Sequence, residues 1–194
     1  MVYFDQSKRL LFIHNPKTGG SSIRRILSLH DHGNARFIHV STYELKDCIL
    51  QELWDQYFIF AMVRNPWQRI VSLYYYHRSV GYARWAGLTD HHLLARYYNF
   101  SEWMDFNLKH EKSIWFGIPQ NIWIDGVPNV GMYESFDDFI SSICQKFDVV
   151  YENIVVNKGE ADQSTYKDHF VKQEHIDYIG KIDHVIIDRF GYSF

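Results

Sequence analysis

Long apolar runs are missing from this 194-residue sequence. The longest, Tyr57–Val63, has seven residues, against the about 20 that a membrane-spanning helix needs, so no membrane span is expected. Cysteine is scarce too. Cys48 and Cys144 are the only two, which excludes the disulfide framework of a small secreted domain and predicts reduced, buried thiols. The opening residues MVYFDQSKRL lack the basic-then-apolar order and small-residue cleavage site of a secretory leader. A cytoplasmic protein is expected on both counts. No internal repeat, low-complexity tract or Pro/Gly-rich linker interrupts the chain, so a single domain over residues 1–194 is predicted.

What the sequence does contain is apolar and aromatic. At 46% hydrophobic and 18% aromatic residues it is no disordered chain, and its length is sufficient to bury a core. The formal charge of −3 conceals an asymmetry: residues 1–99 carry 12 Lys+Arg against 7 Asp+Glu, whereas residues 100–194 carry 8 against 16. Nine of the ten arginines lie in the first half. Arginine presents a planar fork of donors that suits phosphate and sulfate, so the first half is suited to a small anionic ligand. The acidic second half argues against a broad nucleic-acid surface.

Hydrophobic periodicity and punctuation predict alternating strands and helices. Arg9–His14 reads as a buried strand stopped at Asn15-Pro16. Lys17–Ser22 is a small-residue turn, after which Ser21 or Ser22 can cap a helix over Ile23–Leu29. A short strand is predicted over Arg36–Val40. Ser41-Thr-Tyr-Glu44 has the form of a capping box opening a helix to about Leu53. Tyr57–Val63 is apolar on both faces, as a central parallel strand should be. Pro66 then sits in the first turn of a helix reaching about His77. Residues 78–98 read as a loop or short helices beside a substrate. Further on, Ser101 caps a helix to about His110, a strand covers Val130–Tyr133, and a helix covers Phe136–Phe147. One long helix runs from Gln173 to Arg189, ended by Gly191. This order means α/β with a mainly parallel sheet.

Two constellations carry chemistry. In the first, Pro16-Lys17-Thr18-Gly19-Gly20-Ser21-Ser22 joins a strand to a helix. The glycines let the backbone bend round an anion, the helix start adds its positive end, Lys17 adds a point charge, and the hydroxyls are further donors. The lysine precedes the glycines, and no later strand ends in an aspartate placed to hold magnesium, so this is not the loop of nucleotide triphosphatases. In the second, Arg64 stands where the central strand ends, the edge at which open α/β sheets bind ligands. Arg69, Ser72 and Tyr76 share a face of the following helix. Arg64 and Ser72 can clasp a second phosphate if that face turns back, while Arg69 reads as an ion-pair partner for a carboxylate. His30-Asp31-His32 and His91-His92 lack a complementary ligand set at zinc-like spacing. They read as solvated loop histidines, and no metal is expected.

The pair PKTGGSS and RNPWQRIVS resembles the two cofactor loops of the carbohydrate sulfotransferases that use 3′-phosphoadenosine 5′-phosphosulfate (PAPS), the family of Golgi glycan sulfotransferases and their soluble microbial relatives. Further likeness lies in His39-Val-Ser-Thr-Tyr-Glu-Leu45, in Pro119-Gln120 with Trp123, in Gly131-Met-Tyr-Glu134 and in Phe190-Gly-Tyr192. The resemblance implies a P-loop-like, three-layer fold with helices flanking a central, mainly parallel sheet, and an in-line transfer of the sulfuryl group to an acceptor hydroxyl of a glycan or small glycoside. It implies Pro16–Ser22 around the 5′-phosphosulfate, with Lys17 stabilising charge on the departing phosphate. It also implies Arg64 and Ser72 on the 3′-phosphate, Lys158-Gly159 closing over the nucleotide, and His39 as the base, with His14 the alternative. The product is 3′-phosphoadenosine 5′-phosphate, and no metal is required. Acceptor recognition would then fall mostly to residues 78–125, where the aromatics between Tyr74 and Tyr98 can stack on sugar rings or fill a core. Two readings compete with an enzyme of this family: a non-catalytic module binding a nucleotide or a sulfated glycan, and a P-loop kinase, which needs magnesium and a lysine after the glycines.

Overall fold

Asp5 shapes the first turn of the chain. Its carboxylate accepts from Ser7 Oγ at 2.6 Å and from the Lys8 main-chain N–H at 3.1 Å, and Arg9 closes the turn at φ 49°. The turn folds strand β1 (Val2–Asp5) back on β2 (Leu10–Ile13) as an antiparallel hairpin. In this computed structural model the described residues are 2–31, 41–48, 51–79, 89–110, 115–154 and 163–194. They gather into two compact units, Met1–Arg64 with Gln120–Asn157, and Asn65–Pro119 with Lys158–Phe194.

The first unit is built on a five-stranded sheet in the order β3-β1-β2-β4-β5, with β3 at His30–Asp31, β4 at Phe58–Val63 and β5 at Asn129–Met132. β2, β4 and β5 are parallel, in registers that pair Ile13 with Ala61 and Val63 with Met132. β1 pairs antiparallel with both β2 and β3, so the sheet is mixed, with β1 alone running against the other four strands. The difference arises at the N-terminal hairpin, whose first strand is only four residues long and whose turn is set by one carboxylate. β4 is an interior strand between β2 and β5 rather than the middle one, parallel to both and buried from Ile59 to Val63, as its two-sided apolar pattern predicts.

Leu10 and Phe12 of β2 join Phe60 and Met62 of β4 in one core. Ile23, Ile26 and Leu27 of α1 (Gly20–Ile26 and the residue beyond) pack there, as do Ile140, Ile143 and Cys144 of a later helix. Phe12 and Phe60 stack at 4.9 Å. Burying each such side chain stabilises the fold by about 1.5–3 kcal/mol. Ser41 and Glu44 form the capping box: Ser41 Oγ and N–H donate to Glu44 Oε2 at 2.7 and 2.9 Å, and the Glu44 N–H donates to Ser41 Oγ at 3.2 Å. Helices α2 (Thr42–Cys48) and α3 (Gln51–Gln56) follow.

In the second unit, α4 spans Pro66–Arg78. Pro66 lies in its first turn, as the sequence predicts, and Asn65 caps the helix by accepting from the Trp67 and Gln68 N–H groups. α5 (Asp90–Tyr97) and α6 (Phe100–His110) pack with it. The cap of α6 is Asn99, which exchanges hydrogen bonds with Glu102 at 3.0 Å, rather than Ser101. His91 and His92 stand on α5 rather than in a solvated loop, and buried His92 pairs through Nδ1 with the His77 carbonyl at 2.8 Å. After β5, α7 covers Phe136–Lys146 in the first unit. The predicted long C-terminal helix is two: α8 (Gln173–Ile182) and α9 (His184–Phe190), broken at Asp183, with Gly191 capping the second at φ 69°. Asp183 ends the first and caps the start of the second, and its buried carboxylate faces Arg69. Among the described residues no helix is long and apolar enough to cross a membrane.

Candidate functional site

Where β2 ends, Asn15 turns the chain inward. It is fully buried, and its side-chain Nδ2 donates to the Met62 carbonyl at 3.0 Å and to Gln120 Oε1 at 2.9 Å. Its own carbonyl accepts from Thr18 Oγ1 at 2.8 Å. Thr18 is therefore spent in part on closing the turn. Lys17 and Gly19 take left-handed backbone conformations, φ 71° and 84°. A lysine there is strained by roughly 1–2 kcal/mol, and such strain gathers at functional loops.

The two glycines are required by what surrounds them. A Cβ on Gly19 would stand 2.8 Å from the Phe136 ring and 3.2 Å from Tyr133, and one on Gly20 would strike the His14 ring. Helix α1 consequently starts inside the glycine pair, with Gly19 as its cap and no side-chain capping bond. Ser21 and Ser22 lie in the first turn and do not cap it, contrary to the sequence expectation. Ser21 is exposed, and Pro16 and Ser22 are buried. α1 has seven residues, so the loop's positive character comes from its turn and its lysine rather than from a long helix.

Arg64, the residue after β4, reaches this loop. Its Nη1 donates to the Lys17 carbonyl at 3.1 Å, and its guanidinium lies 4.4 Å from the centre of the Tyr133 ring. Lys17 as a residue is half-buried, but its ammonium is enclosed. Burial, and secondarily the Arg64 charge, push its pKa down to about 7. A buried pair of cations at a glycine turn favours an anion, because a bound negative charge reverses the repulsion.

His14 lies beneath the turn, its ring stacked on Phe12 at 5.7 Å and beside Tyr3 at 6.0 Å. Ser72 stands part-buried on α4 in the second unit. Arg69, on the same helix, is an ion-pair residue as expected: Nη1 lies 3.5 Å from Asp183 Oδ2 and Nη2 donates to the Ile118 carbonyl at 3.1 Å. Among the aromatics, Tyr74 packs edge-on to Phe100 at 5.5 Å, whereas Tyr97 is 82% exposed. His39, Lys158, Gly159, the strand expected over 36–40 and residues 80–88 lie outside the described residues. In the second unit Asp105, Glu174 and His175 bring ligand-type atoms within 4.8 Å of one another. The Lys172 ammonium already sits on Asp105, at 2.7 and 2.9 Å.

Sequence reading passed over Asn15, Gln120 and Tyr133 as site residues. Asn15 reads as a strand terminator before proline, and the partners of Gln120 lie 56 and 105 positions away. Compared with known proteins, residues 1–175 match the sequence model of the sulfotransferase family. No curated protein and no solved structure matches.

Proposed function

Since the chain belongs to the sulfotransferase family, whose chemistry is sulfuryl transfer, we propose that its donor is PAPS and its acceptor a hydroxyl of a glycan or small glycoside. The observation that supports this reading best is the Arg64–Lys17 pair at the Gly19-Gly20 turn. The donor set fits a phosphosulfate: two cations, a turn whose space a Cβ would fill, and the exposed Ser21 at the start of α1.

When bound, PAPS supplies an activated sulfuryl group on a phosphate that is a stable leaving group. Lys17 holds a proton at Nζ and so offsets the charge that gathers on the 5′-phosphate oxygen as the sulfur–oxygen bond breaks. Arg64 presents its fork to the 3′-phosphate, which is what separates this nucleotide from ATP. Ser72 joins it there, and Lys158-Gly159 closes over the nucleotide, on the family resemblance alone. His39 takes the acceptor hydroxyl proton as the new sulfur–oxygen bond forms, with His14 the alternative base. The same reading carries a P-loop-like, three-layer architecture and a cytoplasmic location.

The test is calorimetric binding of 3′-phosphoadenosine 5′-phosphate, with ATP plus Mg²⁺ as control. Tight binding of the 3′-phosphorylated ligand, lost in Arg64→Ala, is the expected result. Preference for ATP, or binding of neither, would overturn the donor assignment.

A further inference from the structure

We infer that Gln120 is a positioning residue that holds Arg64 and the anion loop in mutual register, and through Arg64 sets the preference for a 3′-phosphorylated ligand. The inference rests on the donor reading above. Gln120 opens a short 3₁₀ turn, Gln120–Trp123, and is fully buried. Its amide does for Arg64 what a neighbouring strand would do. Oε1 accepts from the Arg64 main-chain N–H at 3.1 Å, and Nε2 donates to the Arg64 carbonyl at 2.8 Å. The last β4–β5 pair is Val63 with Met132, so this side chain extends ordered pairing one residue past the ladder.

The same Oε1 accepts from Asn15 Nδ2 at 2.9 Å. The contacts then close a circuit. Gln120 holds Asn15; the Asn15 carbonyl holds Thr18 at 2.8 Å; Lys17, next to Thr18, receives Arg64 Nη1 at 3.1 Å; and Arg64 returns to Gln120. Both cation-bearing segments therefore hang on one buried amide. Burying an amide is unfavourable unless its polar atoms are paired, and a methionine would fill a similar volume without that requirement. Packing alone does not account for glutamine here.

Because a guanidinium is a rigid fork, its value in phosphate recognition depends on its orientation. Replacing Gln120 removes its bonds to the Arg64 N–H and carbonyl together. The anion loop loses less, since Asn15 keeps its bond to the Met62 carbonyl and its carbonyl keeps Thr18. Binding through the 3′-phosphate should therefore suffer more than binding through the 5′-end.

The experiment compares Kd for 3′-phosphoadenosine 5′-phosphate with Kd for 5′-AMP in wild type, Gln120→Met and Gln120→Glu, below the melting temperature of each. Gln120→Met should reduce the preference for the 3′-phosphorylated ligand by about tenfold. Gln120→Glu keeps the acceptors and removes the donor to the Arg64 carbonyl, and should give a smaller reduction. An unchanged preference beside a lowered melting temperature would overturn the inference, and so would loss of the fold in both variants, since either leaves Gln120 as a stability element only. A wild type without preference for the 3′-phosphorylated ligand would overturn the donor reading itself, and this is seen before any variant is compared.

Discussion

Arg64 donates from Nη1 to the main-chain carbonyl of Lys17 at 3.1 Å, which ties the arginine that follows β4 to the residue that supplies the loop's own cation. Lys17 titrates at about 7 because of burial and then the Arg64 charge, against 10.5 for an ordinary lysine. Between those two values the unfolded chain holds more protons than the folded one, so this group's contribution to stability rises as pH rises through that window. Anion binding runs the other way. A bound phosphate favours the charged ammonium, so above about pH 7 binding takes up one proton, and Kd should rise by up to about tenfold per pH unit. Lys17→Arg, which stays charged, should flatten that limb. A calorimetric pH series on both proteins checks this, and a wild-type profile as flat as the variant's would refute it.

The two loop glycines should fail for different reasons. Gly191 also has positive φ, 69°, but has nothing within 4 Å of a Cβ, so Gly191→Ala should cost only the left-handed penalty, about 1–2 kcal/mol. Gly19→Ala adds a clash with the Phe136 and Tyr133 rings and should cost a further 1–3 kcal/mol or about that. Gly20 carries no positive φ, and the three atoms that its Cβ would meet first all belong to the His14 ring. Urea denaturation should show that His14→Ala relieves Gly20→Ala and does not relieve Gly19→Ala. Additive losses in the Gly20 pair would contradict the packing account.

The legible parts of this fold are those with local signals. The two-sided apolar run of β4, the Ser41–Glu44 box, the helix start with Pro66 in its first turn and the terminal Gly191 all depend on residues within a turn or a strand of one another. The errors fall where a distant partner decides. At Asp183, where one helix ends and the next begins, the carboxylate's partner Arg69 is 114 positions away. β1 is short and owes its place to the Asp5 turn. Ser22 looks like a cap until the ring neighbours of Gly19 and Gly20 fix where α1 begins. At the site, Lys17 and Arg64 were readable as charges at the ends of strands. Gln120 was not readable as their common support, because its partners are joined only in three dimensions.

Arg69 and Asp183 should behave as a buried pair. Their side chains are 5% and 2% exposed, and burial lowers the Arg69 pKa while Asp183 opposes the shift. Removing one charge leaves the other uncompensated, so Asp183→Leu alone should cost about 3–5 kcal/mol, and Arg69→Met with Asp183→Leu should recover most of it. The 3.5 Å separation is long, and the Ile118 carbonyl at 3.1 Å shares the guanidinium, so recovery should stop short of wild type. Denaturation of the double-mutant cycle measures this. Single and double variants of equal stability would show that the pair is not coupled.

His39 and His14 should separate by the kind of loss that each substitution produces. A general base acts on the acceptor proton and not on the nucleotide, so His39→Ala should leave 3′-phosphoadenosine 5′-phosphate binding near wild type and lower transfer roughly a hundredfold to ten-thousandfold. His14 packs under Gly20 and stacks on Phe12 at 5.7 Å. Truncating it removes the floor of the loop, so His14→Ala should weaken nucleotide binding and lower the melting temperature together with the rate. Calorimetry and a transfer assay on the same two variants distinguish these patterns. If His14→Ala lost transfer at unchanged nucleotide affinity while His39→Ala remained active, the proton would pass to His14, and the turn at Gly20 would be the place where acceptor and donor meet.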